Sequence, residues 1–279
     1  MKVIKSIPAL KSAVRRWKSK NRTIGFVPTM GYLHEGHLSL VRASKKKADV
    51  TVVSIFVNPT QFGPKEDFRT YPRDFERDAG LLEKEGIAVL FYPDAEEMYP
   101  GGYKTYVEIY DLQDKLCGRS RPGHFRGVST VVLKLFNIVR PDYAFFGQKD
   151  AQQAIILRRM ARDLDLDICV EIMPIVREAD GLAMSSRNTY LGPDERKAGL
   201  SLSRSLRQAK TRIDAGERRP DVILSAMKEM IAAEPLAMID YIEAVDMDTL
   251  EPVKEISEGT LIALAVFIGK TRLIDNMIV

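Results

Sequence analysis

Two of the chain's three histidines, His34 and His37, lie three residues apart in the stretch Pro28-Thr-Met-Gly-Tyr-Leu-His-Glu-Gly-His-Leu38, which also holds Gly31 and Gly36. A short apolar strand, Thr23–Val27, is expected before this stretch and an amphipathic helix from Leu38 after it. A strand, a Gly-bearing turn and a helix leave backbone N–H groups free to face an anion. Imidazoles can donate to phosphate oxygens, so the histidine pair favours phosphate over carboxylate. Two other readings stand beside this one. His-x-x-His could be half of a zinc site, although only His124, Cys117 and Cys169 remain as partners and none has metal-ligand spacing. Both rings could also be ordinary surface or core residues.

Three further loops carry donors. Asn58-Pro-Thr-Gln-Phe-Gly-Pro64 is too rich in turn residues to continue a strand or helix. Gly147-Gln-Lys-Asp150 follows an apolar strand, where a lysine could meet a phosphate. Met184-Ser-Ser-Arg187 is weak by itself. Together they offer two imidazoles, a lysine, an arginine, two hydroxyls and several amides, a set suited to a polyphosphate beside a small polar substrate.

The elements that must position these loops alternate. A helix with Leu10, Ala13, Val14 and Trp17 on one face is expected after Ser6 as N-cap. Val50–Val57 reads as a strand covered on both faces, followed by a helix near Asp74–Glu85 and a strand Ala88–Tyr92. Residues 93–127 read as irregular, with a possible strand over Lys104–Tyr110. A strongly amphipathic helix starts near Val128 and stops at Pro141. A strand Asp142–Phe146, a helix to about Asp163 and a strand Ile168–Met173 follow. This alternation implies an α/β fold with a parallel, doubly wound sheet, whose ligands bind beyond the strand C-termini where strand order reverses. After Pro174 the pattern becomes helices near Asp194–Ala215 and Pro220–Ala233, strands near Ile239–Val245 and Leu261–Ile268, and a short last strand. The division expected is 1–175 and 176–279, the latter a smaller C-terminal α+β domain whose first segment, Arg177–Asn188, looks like a hinge.

Bulk properties set limits. The chain has 279 residues, 45% hydrophobic and 29% charged, with a net charge of +4. It can bury a large core without disulfides, and its charge does not argue for nucleic acid. Cys117 and Cys169 form no CxxC pattern and read as reduced thiols. The longest apolar run, Leu261–Gly269, is about half of the roughly 18 residues a bilayer span needs. No signal peptide or membrane span is expected, and the protein reads as cytoplasmic. The basic residues Arg119, Arg121, His124 and Arg126 read as bordering a site or a subunit interface rather than binding RNA.

His34-Glu-Gly-His37 resembles the HxGH motif of the class I nucleotidyltransferase and aminoacyl-tRNA synthetase superfamily, and Met184-Ser-Ser-Arg187 its KMSKS loop with arginine as the last residue. Five ordered blocks resemble, more narrowly, the pantothenate synthetase (pantoate–β-alanine ligase) family: Pro28–His37, Phe56–Gly63, Arg121–Val128, Phe145–Asp150 and Arg177–Asn188. The resemblance implies a Rossmann-like fold and a two-step ligation. Pantoate attacks the α-phosphate of Mg2+-bound ATP, and β-alanine then displaces AMP from the adenylate.

By motif position, Met30, Gly31, His34, Gly36 and His37 would contact ATP. Gly147, Gln148, Lys149, Asp150 and Val176 would do the same, with Met184, Ser185, Ser186 and Arg187 closing over the triphosphate. His37, Lys149 and Arg187 would be the catalytic residues, as donors to the phosphate chain. Pro28, Met30, Asn58, Gln61, Phe62 and Gln153 would hold pantoate, with Tyr71 bordering the same pocket. The resemblance also implies a homodimer. Because a free acyl adenylate would hydrolyse, the second domain, hinged near Val176 and carrying Met184–Arg187, is expected to act as a lid. It names no Mg2+ ligand, and neither nucleic acid nor membrane is an expected partner.

Overall fold

In a computed structural model, described here for residues 1–64 and 66–279, the chain forms two sheets with helices against them. The first part runs β1 (Lys2–Ile4), α1 (Ile7–Lys18), β2 (Ile24–Thr29), α2 (Glu35–Lys47), β3 (Val50–Ile55), α3 (Phe75–Lys84) and β4 (Val89–Phe91). Two short helices, α4 (Ala95–Met98) and α5 (Cys117–Ser120), precede α6 (His124–Val139), β5 (Tyr143–Gly147), α7 (Ala151–Asp163) and β6 (Cys169–Met173). These six strands are all parallel, in the order β1-β4-β3-β2-β5-β6. The doubly wound sheet expected from the alternation is therefore present.

Strand order reverses between β2 and β5, and there the sheet opens. β2 pairs with β3 along all six residues but with β5 only at Gly25↔Tyr143 and Phe26↔Ala144. Successive residues of β2 face opposite neighbours. The Ile24 carbonyl accepts from Asp142 N–H on the β5 side, whereas the Thr29 carbonyl accepts from Phe56 N–H on the β3 side. Pro28 thus faces β5 beyond the last paired residue, where its missing N–H leaves no ladder bond unmade. The crevice is built into the strand that leads to His34.

The second sheet is antiparallel, β7 (Ala237–Asp246), β8 (Thr260–Ile268) and β9 (Thr271–Ile278), packed on α8 (Pro193–Asp214) and α9 (Pro220–Ala232). β9 has eight residues and pairs along its full length with β8, so the terminal strand is not short. The apolar run Leu261–Ile268 is the central strand, almost wholly buried. The core around α6 and α7 also takes in Val245, Leu250, Leu261 and Ala263, which makes the junction between the sheets apolar. Among the described residues no helix is long and apolar enough to cross a membrane.

Several local expectations change. Lys104–Tyr110 forms no strand; Val107 and Ile109 pack inward, but among the described residues no strand pairs with the segment. Ser6 is the N-cap of α1 without using its hydroxyl, and the Glu97 carboxylate accepts the Ile7 N–H instead, at 2.6 Å. α2 begins at Glu35 rather than Leu38, which makes His34 the N-cap and puts His37 in the first turn. α6 begins at His124 rather than near Val128. β1 and the short helices of the 93–127 region carry too little periodicity to be read from sequence.

Candidate active site

The turn after β2 is held from α3. Tyr32 takes a left-handed backbone conformation, φ 50°, which costs a non-glycine residue about 1 kcal/mol or more. The buried Asp78 carboxylate accepts the N–H groups of Tyr32 (2.6 Å) and Leu33 (2.7 Å), while Arg77 donates to the Leu33 carbonyl (2.8 Å). These bonds fix the chain just before His34. Gly36 is required by packing, because a Cβ there would lie 2.9 Å from Cε1 of the His34 ring.

The two imidazoles lie 4.1 Å apart between ring centroids, their planes tilted by 42°. His37 Nδ1 accepts the His34 backbone N–H at 3.3 Å, so its proton sits on Nε2 and that nitrogen is a donor. Burial above all, with His34 and Lys149 adding to it, holds His37 well below the ordinary imidazole pKa. Burial, then the Lys149 charge, pushes His34 down to about 4. Both rings are neutral at physiological pH and suit fixed donation better than charge transfer. His34 Nδ1 is buried with no hydrogen-bond partner among the described residues.

A second arm comes from the turn after β3. Asn58 is buried and fully used. Its amide donates to Gln61 Oε1 (3.0 Å) and the Gly127 carbonyl (3.1 Å), while its oxygen accepts from Thr60 Oγ1 (2.9 Å) and Tyr99 Oη (2.8 Å). With its oxygen occupied, Gln61 turns its NH2 toward the pocket, where it meets only Met30 Sδ at 3.3 Å, a weak acceptor. Gly127 lets α6 approach, since a Cβ there would lie 2.3 Å from the Thr60 carbonyl oxygen. His124 donates from Nδ1 to the Gln61 carbonyl (2.8 Å), and its Nε2 accepts from Arg121 (3.1 Å), which pairs with Glu66 (2.6 Å). Burial, then Arg121, pushes His124 down to about 4. Arg119 and Arg126 also have acidic partners, Glu243 and Glu108, so the basic loop is largely neutralised.

The third wall crosses from the second sheet. Residues 176–185 fold back on themselves, with Met184 N–H donating to the Val176 carbonyl (3.0 Å). Ser186 Oγ then donates to the Tyr32 carbonyl at 3.2 Å, docking this loop on the histidine turn. Arg187 forms a two-pronged pair with Asp67, both contacts 2.9 Å, and its guanidinium lies 5.6 Å from the Tyr71 ring centroid. Asn276 of β9 donates to the carbonyls of Gln148 (2.9 Å) and Lys149 (3.0 Å), while Asp275 grips Arg177 at 2.6 and 2.9 Å.

Two cavities share the wall Lys149, Asp150, Gln153, Ser185 and Arg187: an inner pocket of about 210 Å³ and an outer cleft of about 950 Å³. The inner pocket brings together Pro28, Met30, His34, Gly36, His37, Asn58, Gln61 and Tyr71. It also gathers Gly147, Lys149, Asp150, Gln153, Val176, Met184, Ser185, Ser186 and Arg187. Three expected site residues line neither cavity. Gly31 makes the turn above Thr29, Phe62 packs behind Tyr71 with ring centroids 5.9 Å apart, and the Gln148 side chain donates to Asn276 (3.2 Å). Sequence reasoning passed over Asp67, Asp78 and Asn276, none of which lies in a motif that marks it. Among the described residues no group of three or more His, Cys, Asp or Glu side chains could hold a metal ion.

A family model described as pantoate–β-alanine ligase matches residues 2–278. The pantothenate synthetase of Pelotomaculum thermopropionicum is 60% identical over 278 residues, covering 100% of this chain and 99% of that protein. A crystal structure of pantothenate synthetase from Thermus thermophilus superposes with a TM-score of 0.95 at 44% identity, covering 99% of each chain. Another, a Francisella tularensis pantoate–β-alanine ligase complexed with beta-gamma ATP and β-alanine, gives 0.82 at 34% identity, over 100% of this chain and 97% of that one. With a family model spanning nearly every residue and relatives matched end to end, this chain belongs to the pantoate–β-alanine ligase family.

Proposed function

We propose that the inner pocket joins pantoate to β-alanine in two steps, with ATP as the activating substrate. The observation that carries this reading is the pair of oriented donors, His37 Nε2–H and the Gln61 NH2, in one pocket with the Lys149 ammonium. Gln61 and Gln153 hold pantoate, and Pro28 and Met30 supply apolar surface. A pantoate carboxylate oxygen attacks the α-phosphorus, the bond to the β-phosphate breaks, and pyrophosphate leaves. A carboxylate is ionised at neutral pH, so this step needs no base. In this reading Lys149 and Arg187 neutralise charge while His34, His37 and Ser185 align the phosphates as hydrogen-bond donors, which is supported by their sharing one pocket. The amine of β-alanine then attacks the acyl carbon and AMP leaves.

Mg2+ would be held chiefly through phosphate oxygens, with Asp150, the one carboxylate of the inner wall among the described residues, available beside them. When bound, it supplies further neutralisation of the leaving pyrophosphate. Arg187 reaches the phosphates only after parting from Asp67, so ATP binding exchanges one anion for another. The assembly is read as a cytoplasmic homodimer, as composition and family resemblance suggest.

Pantoate-dependent ATP–pyrophosphate exchange and β-alanine-dependent AMP release test the scheme together. Folded protein lacking the first would overturn adenylate formation, and lacking the second would leave only a nucleotidyltransferase. Lys149→Ala should depress exchange at least about tenfold, the loss of roughly 1.4 kcal/mol at the transition state.

A further inference from the structure

We propose that Tyr99 is a positioning residue for pantoate. Its hydroxyl is the outer link of a chain, Tyr99 to Asn58 to Gln61, that keeps the Gln61 NH2 turned into the inner pocket. The inference rests on the reading above that Gln61 holds pantoate.

Tyr99 lines neither cavity, so any influence on the substrate passes through other residues. It directly follows α4, and its backbone N–H donates to the Ala95 carbonyl at 2.8 Å. Its ring is fixed by packing. The centroids of Phe56 and Tyr103 lie 6.2 and 5.0 Å away, and the Lys134 ammonium stands 5.4 Å from the ring centre. Burial pushes the phenol pKa up to about 12, so the hydroxyl keeps its proton and remains a donor at any ordinary pH.

Each link has one allowed polarity. The Gly127 carbonyl can only accept and the Thr60 N–H can only donate, and they meet opposite ends of the Asn58 amide at 3.1 and 3.3 Å. The Asn58 NH2 therefore serves Gly127 and Gln61 Oε1, while its oxygen takes the hydroxyls of Tyr99 and Thr60 at 2.8 and 2.9 Å. With Oε1 committed to Asn58, Gln61 offers hydrogens to the pocket. A Gln61 amide turned the other way would set NH2 against NH2 at Asn58 and an oxygen against the pantoate carboxylate. Asn58 is 1% exposed, so water cannot replace a lost hydroxyl without rearrangement. Without both hydroxyls its oxygen keeps only the 3.3 Å contact, and the Gln61 amide loses its fixed neighbour. The two hydroxyls thus govern how firmly a donor is held toward an anion. They act on recognition of pantoate and leave the phosphate groups untouched.

The test is a mutant cycle in the full-length protein, read by pantoate-dependent ATP–pyrophosphate exchange. Tyr99→Phe should raise the pantoate KM about threefold to tenfold, the range of one lost hydrogen bond, with kcat and the ATP KM near the parent values. In a Gln61→Ala background the same substitution should leave the pantoate KM unchanged, because the link it acts through is gone. A merely structural tyrosine would raise KM by the same factor in both backgrounds. Thr60→Val enters the chain independently and should raise the pantoate KM as Tyr99→Phe does, whereas Thr60→Ser, which keeps the hydroxyl, should match the parent. A parent-like pantoate KM in both Tyr99→Phe and Thr60→Val, or an equal effect with and without Gln61, would overturn this inference and leave the role of Gln61 standing. A Gln61→Ala protein with the parent pantoate KM would overturn that role and the inference with it.

Discussion

Replacing Asp78 by alanine removes the acceptor of two N–H groups just before the histidine pair proposed to contact phosphate. The Tyr32 and Leu33 donors lie 2.6 and 2.7 Å from the carboxylate, and Asp78 is 1% exposed, so water cannot take its place without rearrangement. A buried donor left unpaired costs about 1–3 kcal/mol, and two give a loss of roughly 4 kcal/mol. The left-handed Tyr32 backbone would then lose the contact that offsets its strain. At about 2–4 °C per kcal/mol for a domain of this size, calorimetry should show a melting temperature lower by roughly 10 °C. Asp78→Asn keeps one acceptor oxygen and should fall about halfway. Asp78 touches no substrate in the proposed scheme and acts by positioning. Its variants should therefore lower kcat for pantoate-dependent exchange more than tenfold while the pantoate KM, set by Gln61 and Gln153, stays near the parent value. If Asp78→Ala melts within about 2 °C of the parent and exchanges at the parent rate, the turn is held by something else and the reasoning fails.

Three further outcomes follow from the same geometry. His34 and His124 sit near pKa 4 when folded, below the ordinary 6.5, so the unfolded chain binds more protons between those values. Stability from each is complete above pH 6.5 and is lost as pH falls toward 4, by about 1.4 kcal/mol per unit; urea titrations of the parent and of His124→Gln should differ in that window and converge in slope above it. Asp67→Asn removes the negative charge and one of the two acceptor oxygens that hold Arg187 at 2.9 Å, and should tighten ATP several-fold by calorimetric titration with pantoate binding unchanged, whereas weaker ATP binding would refute the exchange of anions. Asn276→Ala unpairs the Gln148 and Lys149 carbonyls and should lower kcat for adenylation at unchanged pantoate KM, with about 1–2 kcal/mol of stability lost; a rise in KM alone would contradict a positioning role.

What could be read from sequence was what is local. The strand–turn–helix around His34 and His37 is carried by neighbouring residues, and so is the βα alternation that fixes the parallel sheet. What could not be read depends on distant partners. Asp78 meets Tyr32 across 46 residues, Arg187 meets Asp67 across 120, and Asn276 meets Lys149 across 127. A carboxylate's own neighbours do not reveal that it accepts a backbone N–H so far away. Ser6 has the right type for an N-cap, yet Glu97 supplies the bond from 90 residues on. The 104–110 segment shows the converse: its alternation is correct, with Val107 and Ile109 inward, but a strand also needs a neighbour.

These contacts bear on how the proposed site would close over a hydrolysable adenylate. A lid formed by all of residues 176–279 would have to pull Asn276, 3% exposed, away from the carbonyls of Gln148 and Lys149. It would also part Val245, Leu250, Leu261 and Ala263 from the core around α6. Apolar junctions of that kind resist domain rotation. The contacts nearer the phosphates are of another character. Arg187–Asp67 and Arg121–Glu66 are ion pairs with partly exposed side chains, and a triphosphate can compete directly for the arginine of the first. Closure therefore costs least when Met184–Arg187 moves toward the nucleotide while the second sheet stays fixed. That same fixed sheet would keep Lys149 in register with His37 throughout both steps.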